Sequence, residues 1–384
     1  MGLLLLLADS GYNVRSQLFG AGEVGAWYDP SDLSSMWQDA AGNTPVTATS
    51  DPVGLILDKS QAPPSMGANQ ITNGGFAADS DWTKGTGWSI GSGVATKAAG
   101  SAALLSQAQT MTAGRYYIVT YTITRSAGTI TPQFAGGSTV SGTARSSSGT
   151  YTDIMTAVSG NNTIQFSADS SFAGTVDDVS VKVLSAGNHA YQVTSGQRPS
   201  LSISSGLSAL SFDGSDDSLI TNAVNFSASD KMTAIVGTRK LSDAADGSII
   251  ELTIGSTNGW FAIYAPGSST ATKFQITSQG TTARAAFTTS STWNAPVTAV
   301  VTGQGDISGD SVLLRLNGSQ INSSVLDQGT GNYANSPLYI GRRAGGTQPY
   351  SGLIYQLIIR GASTASGLLT PAERYVATKS GVTI

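Results

Sequence analysis

Apolar and polar residues alternate along most of this chain with a period of two. In "RYYIVTYTIT" (115–124) Tyr117, Val119, Tyr121 and Ile123 fall on one face, and Thr120, Thr122 and Thr124 on the other. That is the pattern of a half-buried strand. "NTIQFSAD" and "DDVSVKVL" repeat it, the latter with Val179, Val181 and Val183 in phase. "SVLLRLNGSQI" carries the hairpin dipeptide Asn317-Gly318. "PLYIGRR" and "SGLIYQLIIR" read as two further strands, and alternation puts Leu353, Tyr355, Leu357 and Ile359 on one face. Gly, Ser and Thr turns at short spacing separate these segments, as in sandwiches and barrels.

Helical periodicity is scarce. In "LLTPAERYVATKSG" Thr370 is placed to cap, Pro371 to open the helix, Glu373 to complete a capping box and Gly381 to end it. A short turn is expected over "PSDLSSMW", 30–37. The fold class is all-β with two small helices.

Composition narrows the function classes. Of 384 residues, 11% are charged, less than half the usual share of about 25%. A net charge of −4 leaves no basic footprint for nucleic acid and no polybasic patch for membranes. Cysteine is absent, which removes disulfides, thiolate metal sites and cysteine nucleophiles. The apolar run Leu3, Leu4, Leu5, Leu6 and Leu7 has no preceding Lys or Arg and is shorter than a signal sequence requires. It is also too short to cross a bilayer. It reads as a buried strand or docking peptide, so residues 1–20 are expected to attach the protein to another chain.

Two broken phrases set the domain organisation. "GAWYDPSDLSSMWQDAAGNTPVTATSDPVGLILDKS" resembles the start of a concanavalin A-like, laminin-G-like domain common in tail-associated proteins of tailed bacteriophages. The phrase stops at Ser60 and resumes as "GNHAYQVTSGQRPSLSISSGLSALSFDGSDDSL" from Gly187. It continues through "LYIGRRAGGTQPYSGLIYQLIIR" to the closing helix. Between the two parts, "ITNGGFAADSDWTKGTGWSIGSGVA" and "GTVDDVSVKVL" resemble the galactose-binding-like jelly roll of carbohydrate-binding modules, on Asn73, Gly74, Phe76, Trp88, Asp177 and Asp178. The resemblances imply a discontinuous sandwich over 21–67 and 187–384, interrupted by a jelly roll over 68–186. A jelly roll has adjacent termini, so a surface loop of the host accepts it.

The candidate chemistry is sparse. Glutamate occurs three times, at Glu23, Glu251 and Glu373. A retaining glycosidase needs two carboxylates about 5–5.5 Å apart. Glu251 in "SIIELTIGS" has no second acid at i+2 or i+4 and reads as a surface or rim acid. His189, the single histidine, invites a triad with Asp58 and Ser60, but its phrase reads as a structural turn beside the first strand. No cofactor is implied with certainty. Asp177 and Asp178 admit either a structural Ca²⁺ or turn capping, and Asp213, Asp216 and Asp217 admit the same two readings. Phe76 and Trp88 read as core. Trp82, between Asp81 and Lys84, is expected to be exposed and to serve as a sugar-stacking platform. Tyr151 is the second choice, with Asp81 and Lys84 supplying polar contacts.

The resemblances imply a bacteriophage virion protein on the particle exterior, at the tail or capsid surface, rather than an enzyme. The expected task is adhesion to host surface polysaccharide; the alternative is a decoration or connector subunit that binds other virion proteins. The expected partners are other virion proteins and further copies of this chain, with a trimer by analogy. Neither nucleic acid nor a membrane span is expected.

Overall fold

The computed structural model describes residues 12–252, 257–267, 272–288 and 293–384. Leu3 to Leu7 lie outside them. The chain is all-β, with short helices at its ends, and divides into two compact units. One comprises the described residues of Met1–Asp39, Asn43–Pro63 and Gly187–Ile384; the other comprises Ala40–Gly42 and Pro64–Ala186.

The discontinuous unit is a sandwich of two antiparallel sheets. The eight-stranded sheet runs Ser200–Ser204, Leu207–Asp213, Ser351–Arg360, Lys231–Lys240, Val297–Asp306, Ser311–Leu316, Ser319–Ser324, with Gly25–Tyr28 also paired to Ser351–Arg360. The nine-stranded sheet runs Met36–Trp37, Leu55–Ile56, Ala190–Tyr191, Leu219–Thr221, Leu338–Ile340, Ser248–Leu252, Phe261–Tyr264, Gln275–Gln279, Ala283–Phe287. Directly paired residues point to the same side of a sheet. Leu219, Ile340, Ile250, Ile263, Ile276 and Ala286 are paired in sequence across this sheet, and all join one buried core with Ala234, Val236, Leu357 and Ile359 of the other sheet.

The central strands Lys231–Lys240, Val297–Asp306 and Ser351–Arg360 are largely buried on both faces, which explains their continuous apolar runs. Ala234 and Val236 face the inter-sheet core. Ile235, Val300 and Ile358 face outward and pack against Leu369, Ala372, Val376 and Ala377 of the helix Ser366–Ser380. Val14, Leu18 and Phe19 join this same cluster. The described part of the expected attachment segment is therefore packed within its own chain.

Three local expectations are corrected. Ser351–Arg360 does not keep one register: its partners pass from Gln356 to Ile354, so Tyr355 is bulged out. Ile354, Leu357 and Ile359 share the inner face, while Leu353 and Tyr355 leave it, because a bulge shifts the side-chain period by one. The C-terminal helix starts at Ser366, upstream of Thr370, and Pro371 lies inside it. Burial of Leu369 against the sheet carries the helix upstream. Glu373 forms no capping box; it is fully buried and meets Arg315 at 2.8 and 3.0 Å. Gly381 ends the helix in the left-handed conformation, and Asn317-Gly318 forms the hairpin turn with both φ positive.

The second unit is a smaller sandwich. One sheet runs Val140–Ser141, Ile130–Ala135, Thr163–Ala168, Ala103–Ala108, Thr83–Lys84. The other runs Gly149–Thr156, Tyr116–Ala127, Ala173–Leu184, Val94–Lys97, Trp88–Gly91, with Met66–Asn69 on Ala173–Leu184. Tyr117, Val119, Tyr121 and Ile123 face Leu105, Phe134, Ile164 and Phe166 in its core.

Candidate functional site

In the nine-stranded sheet, the residues next to the core row form a second row on the outer face. Ile220, Tyr339, Glu251, Ala262, Thr277 and Ala285 are paired strand by strand. Glu251 stands in the middle of it and is fully buried, correcting its reading as a rim acid. Its carboxylate accepts from Trp260 Nε1 at 3.0 Å, Arg343 Nε at 3.0 Å and the Ala344 amide at 3.1 Å. Tyr264, also buried, hydrogen-bonds to it as well. Burial pushes the Glu251 carboxyl above its ordinary range, and the guanidinium opposes that shift without cancelling it. The Arg343 guanidinium also lies over the Trp260 ring, 5.5 Å from its centroid.

Beside this hub is a recess of about 170 Å³, lined among others by Gln192, Ile220, Tyr339, Arg342 and Arg343. Arg342 reaches it from the turn that follows Leu338–Ile340 and donates to the Asp216 carbonyl at 3.2 Å. Gly346 holds φ +84°, and a Cβ there would come within 2.7 Å of Arg342 Nη2. The backbone is thus shaped to let the guanidinium lie close. Tyr339, half-buried, supplies a ring edge or face, and the side-chain amide of Gln192 donates to Ser218.

The glutamates do not form an acid pair. Each is held by an arginine: Glu23 by Arg360 at 2.6 Å, Glu251 by Arg343 at 3.0 Å, Glu373 by Arg315 at 2.8 Å. His189 is buried and its Nδ1 accepts the Asp58 amide at 3.0 Å, while Ser60 Oγ donates to Asp58 Oδ2 at 2.8 Å. Asp58 also accepts from the Trp27 and Asn188 amides. The serine therefore bonds to the aspartate side chain, and the histidine accepts from that residue's backbone amide. The arrangement ties Gly25–Tyr28 to the chain at Asn188 rather than building a nucleophile.

The expected jelly-roll platform is not exposed. Trp82 is 6% exposed, packs on Phe76 and Phe166 at 5.2 and 6.3 Å, and donates from Nε1 to the Asn73 carbonyl at 3.1 Å. Asp81 is turned out by a left-handed backbone (φ 67°), and Lys84 pairs with Asp79 at 2.6 Å, while the indole between them turns inward. Tyr151 packs against Tyr121 at 5.8 Å, and the Arg145 guanidinium lies 4.4 Å from its ring centroid, taking a face that a sugar would need. Asp177 accepts the Asp178 amide at 2.7 Å within a register shift of Ala173–Leu184. Among the described residues, the group of three carboxylates that converges within 4.8 Å is Asp213, Asp216 and Asp217. Asp213 also accepts the Ser215 amide at 2.7 Å, and Asp217 the Asp213 amide at 3.0 Å.

Sequence reasoning missed Tyr339, Arg342 and Arg343. The period-2 pattern of "PLYIGRR" already set Tyr339 opposite Leu338 and Ile340. The pairing that brings Glu251 beside Tyr339 spans almost ninety residues and has no local signature.

Residues 213–364 match the family model of the concanavalin A-like lectin/glucanases superfamily, of laminin-G type. No curated protein matches the chain. Among solved structures, the chain is similar to the CBM40 of Ruminococcus gnavus IT-sialidase, at 15% identity and TM-score 0.32, over 38% of this chain and 84% of that one. It is also similar to the receptor binding domain of botulinum neurotoxin C/D mosaic serotype, at 12% identity and TM-score 0.36, over 47% and 48%. The botulinum neurotoxin serotype G binding domain matches at 14% identity and TM-score 0.36, over 48% of each chain. No helix among the described residues is long and apolar enough to cross a membrane.

Proposed function

We propose that the protein is a non-catalytic glycan-binding adhesin of the kind carried on the exterior of bacteriophage tails. The observation that carries the glycan-binding part is the recess on the outer face of the nine-stranded sheet, where Tyr339 and Gln192 adjoin Arg343, positioned by the buried Glu251 carboxylate, and Arg342, positioned by the Asp216 carbonyl. A recess of this size is below the usual ligand-pocket range of about 300–1,000 Å³ and suits a single sugar unit. The virion part rests on the sequence resemblance given above. The non-catalytic part is supported by the arginine pairing of all three glutamates.

Weak single-site binding is sufficient. Sugar hydroxyls already bond well to water, so each exchanged hydrogen bond gains little. Millimolar affinity, about 4 kcal/mol, becomes firm attachment when copies are displayed together. The test is a glycan array with a parallel assay for released reducing ends. Binding without release supports the reading, and release of reducing ends contradicts its non-catalytic part. The architectural alternative is favoured by one observation: Val325 and Leu326, beside the edge strand Ser319–Ser324, are 79% and 66% exposed. Loss of particle incorporation on substituting both with Ser, with glycan binding unchanged, would favour that alternative.

A further inference from the structure

We infer that the recess selects an anionic sugar unit, one bearing a carboxylate such as a hexuronic acid, held by Arg342 and Arg343. This rests on the glycan-binding reading of the same recess and adds the ligand's charge class.

The recess holds unsatisfied donors. Two adjacent guanidiniums line one small recess. Glu251, the carboxylate paired with Arg343, meets it through Nε and also serves an indole, a phenol and a backbone amide. The terminal nitrogens of Arg343 have no protein acceptor among the described residues, and its side chain keeps 25% of its exposure. Arg342 has a neutral carbonyl as its acceptor, and its buried Nε has none. Guanidinium forks match the two oxygens of a carboxylate, and such charge-assisted bonds are about twice as strong as neutral ones. Glu251 offsets the charge of Arg343, and sugar hydroxyls alone leave that of Arg342 without an ionic partner. Burial of Glu251 in the sheet and the missing side chain of Gly346 fix both forks before a ligand arrives, which lowers the ordering cost of binding.

The experiment uses the full chain and three immobilised probes: a glucuronate-containing capsular polysaccharide, the same polymer with its carboxyls reduced to alcohols, and a neutral glucan. The expected result is retention on the first probe only, with binding falling as ionic strength rises from about 0.01 to about 0.15 M. Arg342→Gln is expected to weaken binding roughly tenfold, the loss of one charge-assisted bond. Arg342 is the variant of choice because its removal leaves Glu251 paired. Gly346→Ala, which crowds the same guanidinium, is the second variant and is expected to weaken binding without touching any charge. Equal binding to the native and carboxyl-reduced polymers, or unchanged binding by folded Arg342→Gln, overturns the anionic selectivity while leaving glycan binding intact. Binding to none of the three probes, and to nothing on a broader array, overturns both.

Discussion

Glu251 and Arg343 meet at 3.0 Å, and the carboxylate has no exposure to solvent. The acid comes from a central strand and the base from a turn, so the pair holds that turn against the outer face of the sheet. Removing one partner of a buried pair leaves an unpaired charge. Glu251→Ala is expected to destabilise the sandwich by about 2–3 kcal/mol, less than a fully enclosed pair because Arg343 retains water on one side. Denaturant titration measures it. A midpoint unchanged from the parent would show that the pair is dispensable.

Trp82 gives a prediction opposite in kind to a surface platform. It fills the core of the smaller sandwich, so Trp82→Ala is expected to cost about 3–5 kcal/mol, as for other buried aromatics. Thermal unfolding should show the loss, while glycan binding at the other unit stays at the parent level below the melting point. Stability like the parent together with lost glycan binding would return the site to the jelly roll.

Asp217 predicts a pH dependence. Burial first, and then the charges of Asp213 and Asp216, push its carboxyl from 3.8 up to about 6. Between those values the folded protein keeps a proton that the unfolded chain releases, so this group's contribution to stability falls as pH rises through the window. Asn retains an oxygen for the Asp213 amide but does not ionise. The gain in melting temperature of Asp217→Asn over the parent should therefore be larger at about pH 7 than at about pH 4. Equal differences at both pH values would contradict the shift.

The division of the chain gives a further test. Joining Pro63 to Gly187 deletes 64–186, the contiguous part of the smaller sandwich. Because Gly25–Tyr28 pairs with Ser351–Arg360, and Leu55–Ile56 with Ala190–Tyr191, the remaining chain contains its own strand partners. It is expected to unfold in one cooperative transition. A product with strand signal but no cooperative melting would count against independent units.

Much of the fold was legible because the strands obey period two and the turns carry Gly and Asn. Tyr117 to Ile123 and the Asn317-Gly318 hairpin are local patterns, and the structure keeps them. Leu353 and Tyr355 were misplaced because a bulge depends on the partner strand, which alternation within one strand does not encode. Glu373 was read as a cap because its motif fits locally, but its partner Arg315 lies 58 residues away. The site fared worst for the same reason. Tyr339, Glu251 and Arg343 come together through sheet pairing, and Trp82 turned inward despite polar neighbours.

The most direct test of glycan recognition in the recess is equilibrium binding of the full chain to array-identified polysaccharide, measured for the parent and for Tyr339→Ala. Tyr339 is half-buried on the outer face and joins none of the three hydrophobic clusters, so its truncation should leave folding intact. The account predicts an affinity loss of about tenfold, or about 1.4 kcal/mol. Parent-level affinity in a folded Tyr339→Ala protein would contradict it.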